Sequence, residues 1–443
     1  GSAWRLGGSV FRRPPRWARG ALWAPELTRL NGRYAVFYSA MPRRRGSWYC
    51  LGVATAPAVT GPYRDRGRPL RCGRYGSIDP HVVRDERGRL QLLWKEDGNQ
   101  FRRPTRILAQ RMSEDGRRLR GRPRELLRNR SRWERRVVEA PTVVRNDGYF
   151  YLFYSANLCC TEDCAYAVGV ARSRRLLGPW RRHPGNPILR NGNGWRCPGH
   201  ASLVPDPAGG YKALFHAYRE KAGLLIGRQL LIDRVTFGAD GWPRIGTGIP
   251  APVAPGAAST AFTDEFTGPA LAAEWEWLVE RVPGIRVGGG LRLRGARPSG
   301  RRVDAGVLSR RLGTDLYSAT AVVDHAGLRG RALAGLAAYG NRSVAIGVAV
   351  GARRLVVWQR RRGRYRVLAQ TIPPAGPLTH LRLTAHYRTM RFEFSGDGSN
   401  WNPVGRERRT PIEESARLAL TVGGARGAVG AFRRASLSDD VAP

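Results

Sequence analysis

Four stretches of this chain open in the same way, and their spacing limits the folds it can adopt. They are Trp23-Ala24-Pro25-Glu26, Ile78-Asp79-Pro80-His81, Glu139-Ala140-Pro141-Thr142 and Gly199-His200-Ala201-Ser202. Aligned on Pro25, Pro80, Pro141 and Ala201, they recur at steps of 55, 61 and 60 residues. Each runs through a turn (Asn31-Gly32, Asp85 to Gly88, Asp147-Gly148, Gly209-Gly210) into a β-rich run such as Tyr34-Ala35-Val36-Phe37-Tyr38 or Tyr149-Phe150-Tyr151-Leu152-Phe153-Tyr154. A period near 60 with about four short strands per unit predicts β-propeller blades. Helical periodicity is almost absent. The first strand of a blade lines the central channel, so Trp23, Asp79, Glu139 and His200 are expected to gather around one mouth.

The composition changes after Gly241-Trp242-Pro243. Residues 249–262 begin with a Pro/Ala-rich run that reads as a linker. Beyond it come short alternating strands, among them Ser318-Ala319-Thr320-Ala321-Val322-Val323, Leu355-Val356-Val357-Trp358 and Met390-Arg391-Phe392-Glu393-Phe394. Cysteines and the proline-led repeat are missing there, and a β-sandwich is the expected fold. The expected domains are therefore a propeller over residues 1–248 and a sandwich over residues 263–443, giving an all-β chain.

The net charge of +42 invites a polyanion partner, but its distribution speaks against a dedicated groove. Three of the 76 basic residues are lysine (Lys95, Lys212, Lys221), and the arginines are spread over the whole length. Such spreading, with abundant Gly, Pro and Ala, reads as a GC-rich coding bias. Only salt-sensitive, unspecific adhesion to nucleic acid follows. No run approaches the roughly 20 apolar residues of a membrane span. The six cysteines (Cys50, Cys72, Cys159, Cys160, Cys164, Cys197) match no zinc spacing, and an even count in an exported protein favours disulfides whose connectivity the sequence leaves open.

Two carboxylates at neighbouring blade entrances suit acid-base cleavage of a glycosidic bond, in which one group must stay protonated to donate to the leaving oxygen. Glu139, flanked by Val138, Ala140 and Pro141, has the more apolar neighbours, which are expected to raise its pKa. Trp23, Trp94 and Trp195 offer faces for sugar rings, although each could equally serve a core.

Taken in order, Trp23-Ala24-Pro25-Glu26, Ile78-Asp79-Pro80, Trp94-Lys95-Glu96-Asp97-Gly98-Asn99, Glu139-Ala140-Pro141, Tyr151-Leu152-Phe153-Tyr154-Ser155-Ala156-Asn157, Gly199-His200-Ala201-Ser202 and Arg228-Gln229-Leu230-Leu231-Ile232-Asp233 resemble glycoside hydrolase family 43 over roughly residues 4–248. The resemblance implies a five-bladed propeller and inverting hydrolysis of arabinofuranosides or xylosides in plant poly- or oligosaccharides, by a secreted enzyme that needs no cofactor. By position, Glu139 matches the general acid and Asp79 the group that orients it and modulates its pKa. Trp23, Trp94, His200 and Arg228 would bind substrate. A structural Ca²⁺, a chloride or a water are alternatives for the channel near His200. The second domain resembles, more loosely, the concanavalin-like sandwich that follows such propellers.

One feature departs from the family pattern. The family's general base is an Asp in an Asp-Pro motif upstream of Trp-Ala-Pro-Glu, yet nothing acidic precedes Glu26 and the first aspartate is Asp65. Residues 1–22 therefore read as the outer part of an incomplete first blade, with the base absent from this chain through truncation or loss. Weak or no hydrolysis is expected from these residues alone. The alternative reading is a carbohydrate-binding pseudo-enzyme.

Overall fold

A computed structural model describes the chain except for residues 1–8, 12, 44–47, 221–222, 253–258, 279, 297–301 and 440–443. The described residues fall into two units, one within Ser9–Lys221 and Arg228–Val253, the other within Ala222–Gly227 and Ala254–Pro443. Much of the expected linker, 253–258, lies outside the described residues. No helix among the described residues is long and apolar enough to cross a membrane.

The first unit holds four antiparallel sheets in series. Blade one contains β1 (Ala18–Leu30), β2 (Arg33–Pro42), β3 (Cys50–Ala56) and the short β4 (Arg64–Asp65) and β5 (Arg71–Cys72). Blade two contains β6 (Ser77–Arg84), β7 (Leu90–Glu96), β8 (Arg106–Arg111) and β9 (Arg124–Arg128). Blade three contains β10 (Val138–Asn146), β11 (Tyr149–Ala156), β12 (Ala167–Ser173) and β13 (Arg181–Arg182). Blade four contains β14 (Trp195–Pro205), β15 (Tyr211–Arg219), β16 (Gln229–Phe237) and β17 (Pro243–Ile245). Inner strands pack on one another in sequence, β1 on β6, β6 on β10 and β10 on β14.

Residues 1–22 do not divide as expected. Ala18 and Arg19 pair with Pro42 and Met41 and, after a bulge, Leu22 pairs with Ala40, so Ala18–Leu22 belong to the inner strand of the first described blade. The remainder of an incomplete blade would fall partly on residues outside the description.

The aromatic alternation of β11 explains how one strand serves two interfaces. Phe150, Leu152 and Tyr154 point to a core shared with Leu93 and Ile107 of blade two. Tyr151 and Phe153 point the other way, to a core with Ala213 and Phe215 of blade four. Period-two alternation would normally put one face in water; stacking between blades buries both. Each large side chain so buried contributes about 1.5–3 kcal/mol. The β10–β11 hairpin closes on Asp147 and Gly148, both at positive φ, as a tight primed turn requires.

Every inner strand also bulges at the repeated motif. The ladder slips between Trp23 and Glu26, Ile78 and His81, Glu139 and Thr142, and Gly199 and Ser202. The second motif residue, Ala24, Asp79, Ala140 or His200, is left-handed in each case, with φ of 45°, 56°, 51° and 52°. Non-glycine residues in that region cost about 1–2 kcal/mol each, and a bulge re-aims the side chains around it. At three successive boundaries the freed N–H reaches back to the preceding blade. Asp79 N donates to Ser39 Oγ (3.2 Å), Ala140 N to Asp79 Oδ2 (3.0 Å) and His200 N to Ser155 Oγ (2.8 Å).

The second unit is a sandwich of a nine-stranded and a six-stranded sheet. Leu308, Leu336, Ile346 and Val348 of the smaller sheet meet Ala321, Leu381, Leu383 and Phe392 of the larger in one core. All six cysteines are paired, as Cys50–Cys72, Cys159–Cys160 and Cys164–Cys197.

Removing one inter-blade bond tests its weight. Ser155→Ala leaves the His200 N–H without its acceptor and is expected to destabilise the propeller by about 1–3 kcal/mol, read as a lower midpoint of its calorimetric transition. An unchanged midpoint would show that the bond contributes nothing net.

Candidate active site

The repeat places the four motif-leading residues in two classes. Trp23 and Glu139 hold the first position of the bulge, pairing across to Ser39 and Ser155, whereas Asp79 and His200 hold the left-handed second position. Asp79 and His200 both lie near enough to Glu139 to act on it. Its Oε2 accepts from Lys95 Nζ at 2.5 Å and its Oε1 from the Tyr166 hydroxyl at 2.6 Å. Lys95 Nζ also lies 2.9 Å from Asp97 Oδ1, and Asp97 Oδ2 accepts from Trp48 Nε1 at 3.0 Å. Asp79 reaches the same cluster through the Ala140 N–H, the residue next to Glu139.

Lys95 stands where blades one and three have a serine and blade four has His216. Ser39 and Ser155 pair with the first bulge residue of their blades, and Lys95 pairs with Ile78 in the same register. Those serines accept the N–H of the following blade; at the boundary between blades two and three, Asp79 performs that task. Lys95 is thereby free to extend to Glu139.

The electrostatics correct one expectation. Burial pushes the Glu139 carboxyl up, but the Lys95 charge and hydrogen bond, the Tyr166 hydroxyl and His200 outweigh it, and its pKa falls below the ordinary value. Apolar neighbours in sequence do not set this group, because its two oxygens face donors distant in the chain, Lys95 of blade two and Tyr166 immediately before β12. Asp79 is the carboxyl pushed upward, by burial first and by the Glu139 charge, against the opposing pull of His200, Lys95 and the Ala140 N–H. Lys95 is held above its ordinary value: burial opposes its charge, and Glu139, Asp97 and Asp79 more than compensate. Burial, with Glu139 and Asp79 nearby, keeps the Tyr166 hydroxyl protonated, with a pKa well above its ordinary value.

The other candidates divide. Trp23 stays 41 % exposed with its ring stacked on Tyr49 at 3.8 Å, a platform open on one face. His200 lies 6.5 Å, ring to ring, from His216, whose pKa is pushed well down by burial, Arg228 and His200. Arg228 is exposed and near enough to act on His216. Trp94 does not reach the site: it is 1 % exposed and packs with Leu92, Leu108 and Phe37 between blades one and two. Strand alternation puts Lys95, its neighbour, on the site instead. Trp195 is buried as well, with Nε1 donating to Ala251 O at 3.0 Å. Among the described residues no group of three His, Cys, Asp or Glu is placed to hold a metal ion.

Sequence reasoning missed Lys95, Asp97, Tyr166 and His216. The signal for Lys95 was available: a lysine in a strand of Leu, Trp and Gln, in a chain that otherwise uses arginine. Tyr166 carried none. It lies across the boundary of blades three and four because Gly199 has no side chain; a Cβ there would sit 2.2 Å from the Tyr166 ring. The Cys164–Cys197 disulfide ties the same two segments together.

Two family models match the chain. One, described as glycosyl hydrolases family 43, covers residues 2–243, and the other, described as the beta xylosidase C-terminal concanavalin A-like domain, covers residues 263–423. Xylosidase/arabinosidase 43B of Humicola insolens is 25 % identical over 441 residues, spanning 91 % of this chain and 78 % of its own. The extracellular exo-alpha-(1->5)-L-arabinofuranosidase ArbA of Cellvibrio japonicus is 24 % identical over 273 residues, 55 % of this chain and 77 % of its own. Among solved structures, the BlXynB protein of Bacillus licheniformis is similar with a TM-score of 0.77 at 21 % identity, over 94 % of this chain and 86 % of its own.

Two outcomes follow from the geometry. Gly199→Ala is expected to force the Tyr166 ring away and to destabilise the propeller by about 1–3 kcal/mol, measured by thermal unfolding. Glu139 has a folded pKa below its unfolded value of about 4.3, so its stabilising effect is present above that pH and is lost as pH falls through the folded value. Stability measured against pH should therefore have a shallower acid limb in Glu139→Gln than in the parent.

Proposed function

The chain belongs to family 43 of the glycosyl hydrolases, and from that premise we propose that it acts on α-L-arabinofuranosyl or β-D-xylosyl linkages in plant poly- or oligosaccharides, with Glu139 as general acid. The observation that carries the assignment is the coupling of two buried carboxyls at adjacent blade entrances, Asp79 accepting the N–H of the residue next to Glu139. The names of the relatives from Cellvibrio and Humicola support the choice of pentosides. No cofactor enters the reaction.

In the inverting step, a water oxygen bonds to the anomeric carbon as the bond to the leaving oxygen breaks. The electron pair of that bond goes to the leaving oxygen, which takes the proton of Glu139. Asp79 orients the acid through the Ala140 backbone and adds negative charge beside it. Trp23, His200 and Arg228 bind the sugar. The proton of the attacking water needs a second carboxylate, which the family pattern assigns to an Asp-Pro upstream of Trp23. No Asp-Pro precedes Trp23 within the 443 residues. Three disulfides and relatives described as extracellular support action outside the cell.

A second reading, a propeller that holds pentose glycans without cutting them, draws on the same site, in which Glu139 is held as a carboxylate by Lys95 and Tyr166. Joining an Asp-Pro-led strand ahead of the chain separates the two. Under the first reading, hydrolysis of aryl arabinofuranoside or xyloside rises and the product emerges with inverted anomeric configuration by NMR. Under the second, calorimetry records tight glycan binding with no turnover. In the extended protein Glu139→Gln is expected to lose a factor of about 10² to 10⁴, and unchanged hydrolysis would sink the acid assignment.

A further inference from the structure

Lys95 is 2 % exposed, and it is one of three lysines in a chain with 76 basic residues. It is one of three exceptions to the arginine bias, with Lys212 and Lys221. The geometry gives the reason. A guanidinium is a wide planar fork, whereas an ammonium is a compact point charge with three rotatable donors. The space between β6, β7 and β10 takes a point charge that reaches Glu139 Oε2 at 2.5 Å and Asp97 Oδ1 at 2.9 Å together.

Every charged or titratable group facing this cluster is supplied by a different element. Asp79 comes from β6, Asp97 from the turn after β7, Tyr166 from the segment leading into β12 and His200 from β14. Both oxygens of Glu139 already accept hydrogen bonds, from Lys95 and from Tyr166. One acceptor site on each oxygen is taken, and an ammonium this close favours the ionised carboxylate, which carries no proton for a leaving group. A general acid in this arrangement has to be released first.

We propose that Lys95 is a positioning residue that holds Glu139 as an oriented carboxylate in the free site, and that a bound sugar must take Oε2 from the ammonium before Glu139 can act as an acid. Asp97, fixed by Trp48, is the anion on which the ammonium rests when Glu139 is released, so no unpaired buried charge is created. The inference rests on the reading of Glu139 as the acid, but its core, the Lys95–Glu139 pair, can be measured without turnover.

The test is a pH titration of the Glu139 side-chain carboxyl by ¹³C NMR in the 443-residue protein, the resonance being assigned by its loss in Glu139→Gln. In the parent the midpoint is expected below the ordinary value of about 4.3. In Lys95→Met it should rise by at least about one pH unit, as removal of a close opposite charge does. Lys95→Met leaves Asp97 without its cation, so the charge-balanced double variant Lys95→Met/Asp97→Asn is measured beside it and should show the same rise. A midpoint unchanged in either folded variant would overturn the proposal. Failure of the glycosidase reading would appear separately, as undiminished hydrolysis in Glu139→Gln with the titration still shifted.

Discussion

The propeller depends on a bulge that turns one backbone N–H out of each inner strand. A regular strand would direct that group to its own sheet partner. The left-handed residue at Ala24, Asp79, Ala140 and His200 breaks the ladder, and at three boundaries the freed group bonds to the blade before. The cost of an unfavourable backbone conformation is offset because the same distortion lets consecutive sheets lock together and aims the flanking side chains at the centre. Architecture and site thus share one device, which is why the chemistry-bearing residues recur with the period of the fold.

The site differs from a plain propeller centre by one exchange. Where blades one and three use a serine to accept the next blade's N–H, blade two uses the Asp79 carboxylate and puts Lys95 in the serine register. The exchange introduces a buried cation among Glu139, Asp97 and Asp79. Burial alone would raise both Glu139 and Asp79. The ammonium, 2.5 Å from Glu139, draws that carboxyl downward, whereas burial and the Glu139 charge keep Asp79 raised against the pull of His200 and Lys95.

Much of this was legible along the chain. The proline-led repeat marked the blades, the turns and the positions of Glu139, Asp79 and His200, because a repeating fold writes its period into the sequence. The tryptophan in Trp94-Lys95 looked like a sugar platform, but alternation within β7 sends it into the core between blades and sends Lys95 inward. The pKa of Glu139 was misjudged from Val138, Ala140 and Pro141, since neighbours in sequence on a strand point away from the side chain they flank. Tyr166 was invisible, as its approach needs Gly199, 33 residues further on, to lack a Cβ.

The sequence by itself determined the all-β class, the four blade entrances, the sandwich that follows and the two carboxyls at the centre, because hydrophobic period and motif spacing are properties of local chain order. The tertiary structure alone decided which groups touch them. Lys95 lies 44 residues from Glu139 and Tyr166 lies 27 away; the stacking of blades two and three brings the first within hydrogen-bonding distance, and the pairing of strands within blade three brings the second. Protonation is set by charges through space in a buried site, and the order of residues along the chain does not encode that distance.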